Sequence, residues 1–283
     1  MRTLTMAFDA RDAVRLAQFW GGLLGRVVVE AGGEALLPGD DTQVGLRFVP
    51  SDSVKAGANR LHLHLTSATS ADQERTVSVA LELGAAHLDV GQLPEEGHIV
   101  LADPEGNEFC VIEAGNKFLA GCGFLGEVAC DGGREVGVFW SEAMGWPLVW
   151  DQDEETAIQS PHGGTKVAWG GPSPAPTPGT SRQRFDVTPA SGDQLSEIER
   201  LIALGATLPE VRADLADGAG PAHGGSGADG AGVGSGADGA GVGSGADGAG
   251  VGSGADGAEV GGGVGGVVVM VDPGGNEFLV RAS

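Results

Sequence analysis

The sequence predicts an α+β protein assembled from tandem βαβββ modules. Three observations carry this. In Arg60–Leu65 the residues Leu61, Leu63 and Leu65 alternate with His62 and His64, the period-two pattern of a half-buried strand. Two amphipathic stripes, Val14–Leu24 and Arg134–Met144, each carry an adjacent aromatic pair, Phe19-Trp20 and Phe139-Trp140. The segment Asp103-Pro-Glu-Gly-Asn-Glu-Phe-Cys-Val111 returns as Asp272-Pro-Gly-Gly-Asn-Glu-Phe-Leu-Val280, so both halves of the chain close alike.

The elements follow in order. Thr3–Phe8 reads as a strand, Asp9 or Asp12 can cap the helix after it, and Gly25 ends that helix. Arg26–Val29, Glu34–Leu37 and Gln43–Val49 are short strands, the last two joined by the Pro38-Gly39-Asp40-Asp41 turn. The pattern then repeats: strand Arg60–Leu65, helix Ala71–Leu83 stopped by Gly84, then strands Ala85–Asp89, His98–Ala102 and Glu108–Ile112. A third set begins with Phe124–Ala129, continues through the helix Arg134–Met144, and adds Leu148–Trp150, Thr156–Gln159 and Lys166–Trp169. The fourth opens with Gln183–Val187 and the helix Leu195–Leu204. These boundaries give a first domain over 1–114, a linker over 115–121 and a second domain over 122–283.

Two segments stand apart. Residues 171–179 form a Pro-rich linker that cannot continue a central strand. Residues 224–263 repeat GSGADGAGV with a period of nine, and such glycine-rich sequence buries little while costing backbone entropy to order. A disordered insertion is the expectation. A calcium-binding nonapeptide roll fits worse, because Val and Ala replace the large apolar residue and each repeat offers one carboxylate.

Composition narrows the partners. Sixteen Lys and Arg against 39 Asp and Glu give a net charge of -23, which repels phosphate backbones and anionic membranes, and the basic residues are scattered. Neither nucleic acid nor membrane is expected as a partner. The three cysteines, Cys110, Cys122 and Cys130, are an odd number without a C-x-x-C pair, as suits free thiols in a reducing cytoplasm. The N-terminus lacks the apolar run of a signal peptide, so a cytoplasmic location is expected.

Three segments together resemble the vicinal oxygen chelate superfamily, and more narrowly its glyoxalase-like domain group. They are Leu16-Ala-Gln-Phe-Trp-Gly-Gly-Leu-Leu-Gly25, Arg60-Leu-His-Leu-His-Leu65 with its following helix, and His98–Val111. The superfamily includes glyoxalase I, bleomycin- and fosfomycin-resistance proteins and extradiol dioxygenases. The resemblance implies tandem paired βαβββ modules forming curved mixed sheets with a concave cleft. It also implies metal ligands on the first, fourth, fifth and final strands of a module pair. In this chain those positions fall on Thr5, on Gly45–Arg47 without a carboxylate, on His62 and on Cys110. In the second half they fall on Leu125, Arg184 and Leu279, with Asp186 in the place of His64 and able to orient Arg184. Too few donors then remain for an ion, so neither metal nor other cofactor is expected.

A cleft without metal still binds. Trp20, Phe48, His62, His64, Phe109 and Cys110 in the first half, and Trp150, Trp169, Arg184 and Asp186 in the second, are the expected ligand-binding residues. His62 is the candidate catalytic residue. The leading expectation is metal-independent binding or sequestration of a small organic molecule by a monomer or homodimer. The alternatives are a lyase, isomerase or dioxygenase-type enzyme using His62, and a protein-interaction role with filled clefts.

Overall fold

The computed structural model describes residues 2–93, 95–170, 181–190, 193–209 and 266–282. The Pro-rich linker and the glycine-rich repeat lie outside the described residues.

The modules build largely as their periodicity predicts, although the strand expected at Arg26–Val29 forms at Val29–Ala31 instead. The first comprises β1 (Thr3–Ala10), α1 (Ala13–Leu24), β2 (Val29–Ala31), β3 (Glu34–Leu37) and β4 (Gly45–Pro50). Asp12 caps α1 by accepting from the Arg15 amide, and Gly25 closes it in the left-handed conformation at φ 65°. The second comprises β5 (Leu61–Leu65), α2 (Ser70–Glu82), β6 (Ala86–His87), β7 (Ile99–Ala102) and β8 (Glu108–Val111). The third comprises β9 (Leu125–Asp131), α3 (Arg134–Met144), β10 (Leu148–Gln152), β11 (Glu155–Gln159) and β12 (Lys166–Gly170). The fourth is described through β13 (Gln183–Thr188), α4 (Gln194–Ala203), β14 (Val267–Val271) and β15 (Glu277–Arg281).

Two mixed sheets result. The seven-stranded sheet runs β14-β15-β13-β1-β4-β3-β2, and the eight-stranded sheet runs β10-β11-β12-β9-β5-β8-β7-β6. Both are open, with β14 and β2 at the edges of one and β10 and β6 at the edges of the other. The outer modules therefore share one sheet and the inner modules the other. The joining seams are antiparallel, β1 against β13 and β5 against β9. This overturns the placement of Thr5 and Gly45–Arg47 beside His62 and Cys110. The former sit in the seven-stranded sheet and the latter in the eight-stranded one.

A continuous apolar core joins the inner faces of both sheets to the helices. Trp20, Phe48 and Phe109, expected at a ligand cleft, lie in this core and are fully buried. Phe48 stacks on Phe8 with ring centroids 5.3 Å apart, and Trp20 meets Phe109 edge-on at 5.0 Å. Their place follows from the apolar stripe of α1, which buries Leu16, Phe19, Trp20 and Leu23 together.

The repeated closing turns serve the same packing. Trp20 donates its indole N–H to Asp103 Oδ2 at 3.2 Å, and Trp140 donates to Asp272 Oδ2 at 3.1 Å. Each Asp also accepts the backbone N–H of the Asn four residues on, Asn107 and Asn276. The aspartate thus ties its own turn to the tryptophan helix of the preceding module. Among the described residues no helix is long and apolar enough to cross a membrane.

Candidate metal centre

The centre grows from the alternation in β5. Leu61, Leu63 and Leu65 point into the core, so His62 and His64 face the opposite side of the sheet. The neighbouring strands extend the pattern. His64 is opposite Glu127 on β9 and opposite Cys110 on β8, and His62 is opposite Ala129. Glu127, His64 and Cys110 therefore form a row across three adjacent strands. The two imidazole centroids are 4.8 Å apart.

One donor atom each from His62, His64 and Cys110 lie within 4.8 Å of one another. Glu127, only 7% exposed, accepts from His64 Nδ1 at 2.7 Å. That bond leaves Nε2 of His64 as the ring atom able to face an ion, the arrangement by which a carboxylate orients a metal-bound imidazole. Burial pushes the His62 imidazole down to about 3, and the nearby His64 and His98 push the same way. Burial would also lower His64, but its contacts with Cys110 and Glu127 outweigh that and raise it to about 9. Ligation through His64 Nε2 therefore requires that ring to give up its second proton, whereas His62 is available as a neutral imidazole. Two imidazoles and a thiol are donors that suit zinc, iron or copper rather than magnesium or calcium.

This geometry overturns the expectation of a metal-independent cleft, because a donor set able to coordinate an ion is present. That expectation discounted His64 as a helper to His62 and Cys110 and took Thr5, which belongs to the other sheet, as a poor third ligand. It also missed Glu127. Equal spacing from the aromatic pairs put Leu125 at the first-strand position, whereas strand register puts Glu127 opposite His64 as Thr5 is opposite Asp186. The route from strand to helix is shorter in the third module: 12 residues from Glu127 to Phe139, against 14 from Thr5 to Phe19. The alternation of Glu127 with Val128 could have exposed the shift.

A cavity of about 450 Å³ opens beside the centre, bordered by His62, His64, Glu127, Phe118, Trp150 and Trp169. Trp150 is 38% exposed and meets Phe118 edge-on at 5.7 Å. Phe118, from the short connection between halves, is not signalled in the sequence because nothing in its local pattern marks it. Lys166 sits over its ring at 4.2 Å and donates to its carbonyl. Trp169 belongs mainly to the core, stacked on Trp140 with centroids 6.4 Å apart.

Arg184 and Asp186 are not at this centre. They lie on β13 in the seven-stranded sheet. Asp186 does not pair with Arg184 as expected: Arg184 donates to Asp9 at 2.7 Å, and Asp186 accepts from Arg281 at 2.5 Å.

The glyoxalase-like domain profile matches residues 5–112 and 127–225. The chain belongs to the glyoxalase-like domain family. No curated protein matches it. Among solved structures, glyoxalase I from Zea mays superposes with a TM-score of 0.55 at 12% identity, covering 99% of this chain and 92% of that one. A point mutant of the same maize enzyme gives 0.53 at 12% identity, covering 99% and 92%. At that identity the likeness concerns the fold. The candidate metal donors of this glyoxalase-like chain all stand on the sheet shared by the two inner modules.

Proposed function

We propose that the chain is a metal-dependent, dioxygenase-type enzyme acting on a small ring-bearing organic molecule. The observation that carries this is the convergence of His62, His64 and Cys110 within 4.8 Å. His62 and His64 would hold the ion through imidazole nitrogen and Cys110 through sulfur, with Glu127 fixing His64. A divalent ion there supplies a Lewis-acidic or redox-active centre at the wall of the cavity.

The rest of the cavity supports a flat substrate. Trp150 and Phe118 offer aromatic faces at its rim. Ala129 and Ala168, small residues on the same sheet face, leave room above the strands. Glu127, Asp131 and Glu155 make the walls acidic, which favours a neutral or cationic molecule over an anion.

The test is elemental analysis of protein purified without chelator, followed by oxygen-uptake assays on the iron-loaded form with aromatic substrates. About one ion per chain is expected, falling to background in His62→Ala and Cys110→Ala with the fold intact by circular dichroism. Wild-type protein that binds no first-row metal even when supplied in excess would refute the proposal.

A further inference from the structure

We propose that the seven-stranded sheet carries a second, metal-free site for a small carboxylate with a hydroxyl or amine donor beside its acid group. The argument begins with alternation. On β1, Leu4, Met6 and Phe8 enter the core, so Thr3, Thr5, Ala7 and Asp9 face away from it. On β13, Phe185 and Val187 enter the core, so Arg184, Asp186 and Thr188 share that outward face. Register places Arg47 of β4 and Arg184 of β13 on either side of Ala7, whose methyl group cannot separate two guanidinium groups. Arg281 joins them from β15. Three arginines, Arg47, Arg184 and Arg281, thus share this face in a protein of net charge -23.

At the middle is Asp186, 2% exposed. Its Oδ2 accepts from Arg281 Nε at 2.5 Å and lies 3.2 Å from Arg47 Nε. Its Oδ1 is buried without any hydrogen-bond partner. A buried carboxylate oxygen left unpaired is unfavourable unless a donor arrives to meet it. Meanwhile the Nη atoms of Arg281 make no hydrogen bond to any described residue, and Arg47 and Arg184 each engage only one Nη, with Glu34 and Asp9. Guanidinium forks with spare nitrogens suit a carboxylate, which accepts two parallel bonds.

Space is present at the same place. A cavity of about 410 Å³ is bordered by Arg2, Thr3, Thr5, Arg47 and Thr188, with Asp40 and Asp41 on its wall; of the group around Asp186 it is Arg47 that reaches it. Thr5 is the cross-strand neighbour of Asp186, and Thr188 follows it by two on the same face. A ligand's acid group in this cavity meets Arg47, which itself lies against Asp186, and its adjacent hydroxyl or amine reaches past Thr5 to Asp186 Oδ1.

Two measurements on the full chain test this. First, arginines are modified with phenylglyoxal and adducts are read by peptide mass spectrometry, with glycolate, acetate or sulfate as competitor. Glycolate is expected to reduce adducts at Arg47 and Arg281 about tenfold while leaving the well-exposed Arg75 unchanged, and acetate to protect less. Second, titration calorimetry compares glycolate binding to wild type, Arg281→Met and Asp186→Asn. Arg281→Met is expected to weaken it about tenfold or more, and Asp186→Asn to erase the preference over acetate. If either variant fails to fold, the wild-type protection pattern decides. Absence of protection by glycolate overturns the site. Equal protection by sulfate overturns the donor-specific reading, leaving an adventitious ion only.

Discussion

Glu127 gives the sharpest test of the metal centre, because it touches the ion only through His64. Replacing it with Gln keeps the shape and an acceptor oxygen for His64 Nδ1, but removes the charge. The contact is 2.7 Å long and Glu127 is 7% exposed, so water does not screen it away. Loss of an outer partner to a ligating imidazole weakens metal binding about 10- to 100-fold. The neutral Gln belongs at the lower end, about tenfold or about 1.4 kcal/mol, and Glu127→Ala nearer the upper end. Competition between the apo-protein and a chromophoric zinc chelator measures this directly. Zinc affinities of Glu127→Gln and Glu127→Ala equal to wild type, in folded protein, would show that His64 is not a ligand, and the centre would have to be abandoned.

Further predictions address substrate contact and stability. Trp150→Ala is expected to weaken binding of flat aromatic compounds about 2- to 10-fold by thermal shift, with the melting point of the free protein nearly unchanged because Trp150 is at the rim. Trp20→Phe and Trp140→Phe each remove an indole donor to a buried aspartate and are expected to cost about 1–3 kcal/mol in urea unfolding. Asp103→Ala is expected to cost more than Trp20→Phe, since the amides of Glu105 and Asn107 lose their acceptor as well. Burial works to raise the Glu197 carboxyl, but Arg2 and Arg200 outweigh it and hold it at about 2. Its stabilising effect is therefore complete above the ordinary glutamate value near about 4.3 and fades as pH falls towards 2. The melting-point gap between wild type and Glu197→Gln should be widest near neutrality and close by pH 2. A gap that stays constant across that range would contradict the ion-pair account.

The local pattern was legible in the sequence and the long-range pairing was not. Strand alternation at Leu61–Leu65, the stop at Gly25 and the doubled Asp-Pro-x-Gly-Asn turn each depend on a few neighbouring residues, and each stands where expected. Which strand lies beside β5 depends instead on how four similar modules pair, and no local signal distinguishes β9 from β1 as the partner. That one choice removed Thr5 from the centre and brought in Glu127. The aromatic residues failed for another reason. A tryptophan on an amphipathic stripe reads equally as core or as cleft, and Trp20 went to the core because Asp103 satisfies its N–H there.

The two sheets show why a duplicated scaffold need not duplicate chemistry. Position for position, His62 and His64 on β5 correspond to Arg184 and Asp186 on β13, Cys110 to Leu279, and Glu127 to Thr5. In the inner sheet an acidic residue supports neutral or protonatable donors, and the chain's net charge of -23 attracts a cation towards them. In the outer sheet a single buried acid is held by arginines, which bring local positive charge into the same negative field. An anion reaching that face must overcome the long-range repulsion, so its binding has to come from short, directional bonds to guanidinium forks. Salt should therefore affect the two faces in opposite senses: screening the overall field weakens cation capture at the His-Cys centre and eases anion approach to the arginines.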